Sequence, residues 1–514
     1  MADHLSVEPQ PGWLQRVFQC DLRSLVVFRI AIGTLLLIDL AMRATSMQAM
    51  YTDAGVLPLT DRADYFQELD GTASAMSWSL HALNGSLGWQ IFLFLVAAVA
   101  AAMMALGWKT RLATVVSWIL LASLHSRNPI ILHSGDTLLK LVLFWAMFLP
   151  LGAIWSLDAR KHRTKLPIRG YVSGATVGLI MTLISMYFFS GIAKLNSFWF
   201  SGDAMEYVLR LDIYLTPFGK SLLQYPMVLK IITWGTLATE IVLPLLMLLP
   251  WKNDWWRMLG LVVFCSMHLA IAACMNIGLF SWFSIAVWLA VVPGSVWDAL
   301  AAKIPRMSMS SAGDASPPDR GFWSHPFNVI GVAFALYFLV WHMSLVSYPR
   351  SQVLMPEPAR VVSKWLNMRQ VFHMFDVPPQ HSPWFVYEAT LRNGVQIDVF
   401  RNAPVSHERP DSVRQTIHGH HWRRLHRNLA REPFARFRIP VSDYIVRQWN
   451  ATHDEDSQIV AMKTTAYLDE IRPRESTPQG QLVQVWHVHG ADVADQQLFD
   501  DLLRKVKDKG IILP

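Results

Sequence analysis

Nine long apolar segments occupy the first two-thirds of the chain, and they constrain the fold more than any other feature of the sequence. Each approaches the roughly 20 apolar residues that an α-helix needs to cross the hydrocarbon core of a bilayer. Only 16% of the 514 residues are charged and 53% are hydrophobic, which excludes an ordinary soluble protein of this length. The sequence therefore predicts an integral membrane protein with helices near 24–42, 88–106, 111–126, 137–155, 171–193, 226–249, 256–277, 279–297 and 327–347.

The distribution of Lys and Arg between the loops predicts the orientation of these helices. With a cytoplasmic N-terminus, 14 such residues fall in inside segments and six in outside segments, and the stretch DARKHRTKLPIR is the largest basic group. Nine spans then place the C-terminal part outside the cytoplasm. The net charge of +7 is modest and gives no indication of nucleic-acid binding.

The composition changes near residue 349, so we predict two domains, a transmembrane domain over 1–348 and a soluble α+β domain over 349–514. In the second domain WFVYEATLRNGVQIDVF alternates around an Asn-Gly pair, which is typical of a β-hairpin. Two further strands are predicted in QIVAMKTTAYLDEI and LVQVWHVHG, a closing helix in DQQLFDDLLRKVKDKG, and a linker in MSMSSAGDASPPDRG. The predicted fold class is thus an all-α polytopic membrane domain followed by a small extracytoplasmic α+β domain.

Ionisable residues inside apolar helices are costly, so each needs a structural or functional reason. Arg29 lies near the inner end of its helix and can snorkel to the interface, and Asp39 has Arg43 one turn later as a partner. Glu240 lies near mid-bilayer without a basic residue within a turn. We expect it to be protonated or paired with another helix.

Lys194 ends the apolar run YFFSGIAKLNSFWF, and no acidic residue lies within one helical turn of it. On a helical wheel it shares a face with Tyr187 and Ser190, and Phe198 and Trp199 follow it. An unpaired buried lysine favours the neutral amine, which is a general base. A lysine that snorkels to the head groups is only an anchor, and the residues alone leave both readings open.

Two groups of histidines are further candidates. His268 lies about 14 Å from the outer end of its predicted helix, where a lone histidine is either a hydrogen bond between helices or part of a site. In the C-terminal domain the segment 409–438 contains eight arginines and four histidines but only two acids. Its histidines lack the spacing of a zinc finger and no cysteine joins them, so we predict no metal site. The segment is either a solvated helix face or a basic surface for acidic peptide or lipid, with Arg423, Arg424 and Arg427 as candidate binding residues.

Four stretches resemble the vitamin K-dependent gamma-glutamyl carboxylase family, the membrane proteins that share the HTTM domain. They are SLVVFRIAIGTLLLIDLAMR, RNPIILHSGDTLLKLVLFWAMFLPLGAIWSLD, YFFSGIAKLNSFWFSGDAMEYV and MHLAIAACMNIGLFSWFSIAVWL, which span most of 21–297. The third stretch is the most specific. The chain is shorter than the animal carboxylases and lacks their outer cysteine pair, which favours a bacterial-type member in an inner membrane over a protein of the endoplasmic reticulum.

The resemblance implies a reaction and its cofactors. The family oxygenates reduced vitamin K, a phylloquinol or menaquinol, with O2 and uses the resulting base to carboxylate protein Glu with CO2. It implies catalytic roles for Lys194, as the base toward the hydroquinone, and for His268 and His133. The residues around Lys194, namely Tyr187, Ser190, Phe198 and Trp199, are then the expected quinone-binding residues.

Two alternative functions remain open at this stage. One is a quinol-oxidising or epoxidising activity without carboxylation, and the other is a non-enzymatic envelope scaffold that reuses the fold. Under the leading hypothesis its partners are the lipid bilayer, a naphthoquinone and a Glu-containing peptide or protein.

Overall fold

The structure is a computed structural model that describes residues 12–70, 78–161, 166–303, 322–346, 355–366, 375–473 and 481–489. The predicted linker over 307–321 and the predicted closing helix near 495–510 lie outside these residues.

In the described residues of the N-terminal part, all named secondary-structure elements are helices, joined by loops. Its α-helices are α1 Trp13–Phe18, α2 Leu22–Ala44, α3 Met47–Tyr51, α4 Leu59–Asp70, α5 Leu87–Leu106, α6 Thr110–Arg127, α7 Ser134–Ala146, α8 Leu157–Lys161, α9 Gly174–Ala193, α10 Ser197–Phe200, α11 Ala204–Leu209, α12 Pro217–Leu222, α13 Pro226–Leu246, α14 Asn253–Cys274, α15 Phe280–Leu289, α16 Gly294–Lys303 and α17 Pro326–Val346.

Six of the described helices are long and apolar enough to cross a membrane: α2, α5, α9, α13, α14 and α17. The pair α15 and α16, bent by 81°, makes a seventh if it counts as one span. The third and fourth predicted spans correspond to α6 and α7. At 13 residues α7 is only about 20 Å long, well short of the hydrocarbon core. The chain is therefore a mostly helical membrane protein, and the count of nine spans stays a prediction.

Contacts at the helix ends show how these helices alternate. At one end, the backbones of Cys20, before α2, and Tyr171, before α9, form an antiparallel β-bridge. At the same end, Arg257 near the start of α14 donates to the Gln19 carbonyl at 2.7 Å. At the other end, Arg43 in the last turn of α2 binds Asp136 in the first turn of α7. Helices α2, α9 and α14 therefore start at the same end, and α7 starts at the opposite one.

Arg29 does not snorkel as the sequence suggested. It is 1% exposed and donates to the carbonyl oxygens of Leu151 and Trp155, both at 2.9 Å. These carbonyls follow the end of α7, where no further helical turn supplies a donor. Arg29 is thus a buried cap for irregular backbone.

Helix α9 is at the centre of the helical part and packs against α7, α13 and α17. Its glycines permit close approach: a Cβ on Gly174 would lie 2.8 Å from the Asn328 carbonyl oxygen, and one on Gly178 would lie 2.4 Å from the Trp145 ring. Small residues at helix crossings are the usual means of packing in membranes, where no hydrophobic effect drives helices together.

The C-terminal part contains one antiparallel sheet and several helices. Strand order is β3-β2-β1-β4-β5, and the predicted hairpin and both further strands are confirmed. Gly394 in the hairpin turn has φ 81°, which explains the Asn-Gly pair. The elements are β1 His381–Leu391, β2 Gln396–Asp398, β3 Ala403–Pro404, β4 Ile459–Glu470, β5 Gln481–His489, and the helices α18 Glu357–Trp365, α19 Val413–Thr416, α20 His420–Leu429 and α21 Arg438–Thr452.

The C-terminal part rests on the loops at the end of the helical part where α2 ends. On α20, Arg424 Nε donates to the Leu132 carbonyl at 2.9 Å and Asn428 Nδ2 to the Ile130 carbonyl at 2.6 Å. A salt bridge between Arg409 of the C-terminal part and Asp212 of the helical part, at 2.9 Å, adds a second contact. One apolar cluster also includes side chains of both parts. The proposed boundary at 348/349 stays a prediction.

Candidate functional site

Lys194 forms a buried ion pair with Glu240. Its Nζ lies 2.7 Å from Glu240 Oε2 and 2.5 Å from Ser190 Oγ, and the lysine and glutamate are 3% and 6% exposed. The expectation of an unpaired Lys194 is therefore wrong, because its carboxylate comes from α13, 46 residues away. The expectation that Glu240 pairs with another helix is confirmed.

The backbone of α9 explains this pairing. Ser190, Gly191 and Lys194 share one face, with Lys194 as the C-cap residue. A Cβ on Gly191 would lie 2.7 Å from Ile241 Cγ1 and 3.1 Å from Glu240 Cβ. Only glycine therefore lets α13 come close enough for Glu240 to reach the ammonium group.

The two aromatic residues after Lys194 have different positions. Lys194 Nζ lies 5.3 Å from the centre of the Trp199 ring, within the range of a cation–π contact. Trp199 Nε1 donates to the Phe375 carbonyl at 3.0 Å, so the ring is anchored to the C-terminal part. Phe198 packs edge-to-face against Tyr207 at 5.2 Å instead.

Tyr187 belongs to a second buried group on the same face of α9. Its hydroxyl oxygen lies 2.7 Å from His268 Nε2 and accepts a hydrogen bond from Trp288 Nε1 at 3.1 Å. Phe264 stacks on Tyr187 with ring centres 3.8 Å apart. His268 thus makes the hydrogen bond between helices that was one of its two predicted readings, and Nδ1 of its ring has no partner in the described structure.

A buried acid–base cluster lies at the end of α2 nearer the C-terminal part. Arg43 binds Asp39 at 2.7 Å, as predicted, and also Asp136 at 2.5 Å and the Tyr51 hydroxyl at 2.8 Å. His125 Nε2 lies 3.4 Å from Asp136. Sequence reasoning missed Asp136, Tyr51 and His125. The signal was available, since Asp136 lies three residues after His133 in an apolar helix start.

His133 has a structural role in this cluster. It is the N-cap of α7, where its Nδ1 accepts the Gly135 N–H at 3.0 Å while Asp136 accepts the His133 N–H at 2.9 Å. Because Nδ1 is an acceptor, the neutral ring carries its proton on Nε2, 3.6 Å from Asp136. In this arrangement His133 can donate a proton or hydrogen bond from Nε2 but has no free lone pair for a general base.

The C-terminal part contributes His420 to the same region. Its ring centre lies 4.8 Å from that of His133, edge to face, and neither ring nitrogen has a hydrogen-bond partner in the described structure. Gly278, with φ 76°, lies beneath the His420 ring, where a Cβ would be 2.8 Å from it. Burial lowers the pKa of His420 well below its usual range.

The predicted basic residues of α20 contact the protein and are not an open, solvated face. Arg423 is 7% exposed and donates to the Ile417 carbonyl at 3.1 Å, and Arg424 binds the Leu132 carbonyl. Burial lowers the pKa of both Arg423 and Arg427, and Arg427 interacts with Tyr214. Among the described residues no group of three or more His, Cys, Asp or Glu side chains could hold a metal ion.

An apolar cavity between α2, α5 and α6 is lined by residues such as Leu36, Ala97 and Leu120. Neither Lys194 nor His268 lines this cavity, so it is separate from both buried groups described above.

These features define a polytopic membrane protein whose helices enclose two buried acid–base groups beneath a docked α+β part. The chain belongs to the HTTM domain family, the domain related to vitamin K-dependent carboxylases, since the family model matches residues 18–294. The chain is also similar to the uncharacterized protein YitO of Bacillus subtilis (strain 168), with 29% identity over 227 residues, or 41% of this chain and 69% of that protein. No solved structure gives a significant match.

Proposed function

We propose that the protein is a membrane enzyme that couples oxygenation of a reduced naphthoquinone to carboxylation of protein Glu. The observation that carries this proposal is the Lys194–Glu240 pair, buried about two turns along α9 from Tyr187 and its partner His268. Family membership supports the same reading. When bound, the quinol with O2 would supply the strong base that the γ-hydrogen of glutamate requires, and CO2 would supply the new carboxyl group.

The residues around Lys194 fit an aromatic, weakly acidic ligand. Trp199 presents its ring to the ammonium group, and Tyr187, Phe264 and Trp288 form a stacked aromatic wall. A quinol ring suits such surroundings, because its faces pack against aromatic rings while its hydroxyl groups need polar partners. Ser190 binds the Lys194 ammonium group and Phe198 packs on Tyr207, and in this proposal they complete the quinone site beside Lys194.

Glu240 gives Lys194 a route to the neutral amine. Nζ and Oε2 lie 2.7 Å apart, and transfer of one proton from Nζ to Oε2 across this hydrogen bond converts the ion pair into an amine and a carboxylic acid. The exchange needs no water, because both groups are buried and already hydrogen-bonded to each other. Nζ can then accept a proton from a ligand hydroxyl, which leaves the pair with one positive charge beside the ligand oxyanion.

We further propose that the N-terminus is cytoplasmic and the C-terminal part is outside the cytoplasm, in a bacterial inner membrane. A Glu-containing peptide would then approach from the outer side, near Arg424 and Arg427. Because these arginines already contact Leu132 and Tyr214, little basic surface is left for an acidic peptide. That observation favours quinol oxidation without carboxylation as the second candidate function.

One assay separates these functions. Purified protein is incubated with reduced vitamin K, labelled bicarbonate and Glu-containing peptides, and label incorporation and quinone epoxide are measured separately. Both products support the carboxylase, and epoxide alone supports the second function. A protein that forms neither product, with several quinol tail lengths and in native-like lipid, is not a member of either enzyme class.

A further inference from the structure

Three fully buried side chains from three helices form a hydrogen-bonded chain within the membrane part. Trp288 is 0% exposed, Tyr187 3% and His268 1%. The chain runs from Trp288 Nε1 to the Tyr187 hydroxyl at 3.1 Å and on to His268 Nε2 at 2.7 Å.

The chemistry of the end groups fixes the direction of the Trp288–Tyr187 bond and leaves two arrangements for the Tyr187–His268 bond. An indole N–H can only donate, so the Tyr187 oxygen is the acceptor at that end. If the Tyr187 O–H then donates to His268, Nε2 is the unprotonated nitrogen and the ring proton lies on Nδ1. The reverse arrangement has Nε2–H donating to Tyr187.

Counting unsatisfied groups decides between these arrangements. With the proton on Nδ1, one buried group, the Nδ1–H donor, is left without a partner. With the proton on Nε2, two groups are left, the Tyr187 O–H and the Nδ1 lone pair. Buried polar groups without partners are costly, so the first arrangement is the more stable one.

Packing holds the three groups in this geometry. On α14, Gly260, Phe264 and His268 follow one another at intervals of four residues and face α15. A Cβ on Gly260 would lie 2.7 Å from the Trp288 ring, and Phe264 stacks between Trp288 at 5.3 Å and Tyr187 at 3.8 Å. The indole therefore has little freedom to turn its N–H away from Tyr187.

We propose that Tyr187 and Trp288 are positioning residues that keep His268 in the Nδ1–H form, and that this unpaired N–H binds an oxygen of a planar aromatic ligand. The ring of Phe280, edge to face with His268 at 5.3 Å, continues the aromatic surface beside it. A single buried donor among aromatic rings matches a ligand that is apolar except for a carbonyl or phenolic oxygen. The identity of that ligand as a naphthoquinone rests on the proposed function, whereas the proton position does not.

The proton position is tested by NMR on full-length protein labelled with ¹⁵N-histidine, in which the His268 signals are assigned by their loss in His268→Gln. We expect the nitrogen shifts of an Nδ1–H ring in the wild type. In Trp288→Phe the Nδ1–H form also leaves the Tyr187 oxygen without a donor, so each ring form leaves two groups unsatisfied and the Nε2–H form should become populated. Trp288 itself does not contact a His268 nitrogen in the described structure, so the change must act through Tyr187. Trp145→Phe is the matched control, since Trp145 is equally buried and donates to Thr182 Oγ1 at 2.9 Å elsewhere on α9.

An Nε2–H ring in the wild type, or a Trp288→Phe spectrum that matches that of Trp145→Phe, overturns the proposed positioning. Ligand binding is measured separately by fluorescence titration with menadione and with reduced vitamin K. If the two ring forms become equally populated in Trp288→Phe, the apparent Kd should rise about twofold, because only half of the molecules are competent. An unchanged Kd with a changed tautomer overturns the ligand role of Nδ1–H, and an absence of quinone binding in the wild type, with the tautomer as expected, overturns the proposed function and leaves the positioning intact.

Discussion

The Lys194–Glu240 pair lies in the protein interior, where a single buried charge costs much more free energy than a matched pair. Both side chains are more than nine-tenths buried, and Ser190 supplies an additional oxygen to the ammonium group. Removing one member leaves the other buried without its counter-charge, whereas removing both does not. Activity and stability must therefore be measured together to interpret any variant here.

Our first prediction concerns replacement of Lys194. Lys194→Ala should lower the free energy of unfolding by about 3–5 kcal/mol, as for other broken buried pairs. Lys194→Arg keeps the charge and should remain folded, but it should lose quinol oxidation because a guanidinium group does not give up its proton. Thermal unfolding in detergent and quinol turnover are the two measurements.

The matched control for that experiment removes both charges at once. Lys194→Met combined with Glu240→Leu should recover most of the stability lost in Lys194→Ala, while turnover stays absent. Near-normal turnover in Lys194→Arg would show that Lys194 is not a general base and serves only as a structural ion-pair partner.

At the level of helices, the site depends on how closely α9 and α13 approach. Gly191 is the contact point, because a Cβ there would lie 2.7 Å from Ile241 Cγ1 and 3.2 Å from the carbonyl carbon of Glu240. The Lys194–Glu240 distance is thus set by packing as well as by charge.

Our second prediction follows from this contact. Gly191→Ala should push α13 away, lower the free energy of unfolding by about 1–3 kcal/mol and reduce quinol turnover. Gly235→Ala is the control. Gly235 lies on α13, the helix that faces Gly191, and a Cβ on Gly235 meets nothing within 4 Å. The outcome that contradicts the argument is equal turnover in the two alanine variants.

At the scale of the whole molecule, α20 couples the C-terminal part to the helical part through buried histidines. Burial lowers the pKa of His421 to about 3 and that of His420 well below its usual range. The charged and titratable groups that act on His420 and His421 include Arg43, Arg423, His125, His133 and the acid Asp136. A proton added here would therefore meet mostly positive charge.

Our third prediction is that acid loosens this docking. In the unfolded or separated state these histidines titrate near 6.5, so below that pH the separated state binds more protons than the folded state. Stability should be complete above about pH 7 and fall as the pH drops from 6.5 toward 4, by up to about 1.4 kcal/mol per pH unit for each histidine. Thermal unfolding across this range measures the effect.

The controls use single histidine variants. His421→Gln should flatten the pH dependence, whereas His453→Gln should leave it unchanged because His453 is exposed, stacked on Trp449. A pH profile that is the same in His421→Gln as in the wild type would exclude His421 as a source, and the same result in the double variant with His420→Gln would exclude the docked face of α20.

Our fourth prediction concerns the sidedness of the whole chain. Trp13 donates to the Leu248 carbonyl at one end of the helical part, and Arg424 donates to the Leu132 carbonyl at the other end. Helix α1 and the docked C-terminal part therefore lie at opposite ends of the helical part. With a cytoplasmic N-terminus, a reporter fused after residue 350 should be extracytoplasmic. A cytoplasmic reporter there, with a correctly inserted chain, would contradict both the topology and the approach of a peptide from outside.

The sequence by itself determined the membrane class, the apolar helices, the strand alternation of the C-terminal sheet and the choice of Lys194 and Glu240 as residues that need an explanation. These are local properties, carried by composition and by periods of 3.6 and 2 residues. It also found the Asp39–Arg43 pair, because partners one turn apart are visible on a helical wheel.

Only the tertiary structure decided which charges meet. Lys194 finds Glu240 across 46 residues and Arg43 finds Asp136 across 93, and no local pattern specifies either pair. The same holds for the arginines of α20, whose spacing resembles that of a solvated face. Arg424 finds the Leu132 carbonyl in the turn before α7, and Arg423 finds the Ile417 carbonyl within the C-terminal part. Such contacts follow from which helices lie side by side, and that arrangement is set by the packing of small residues such as Gly191 summed over the whole bundle.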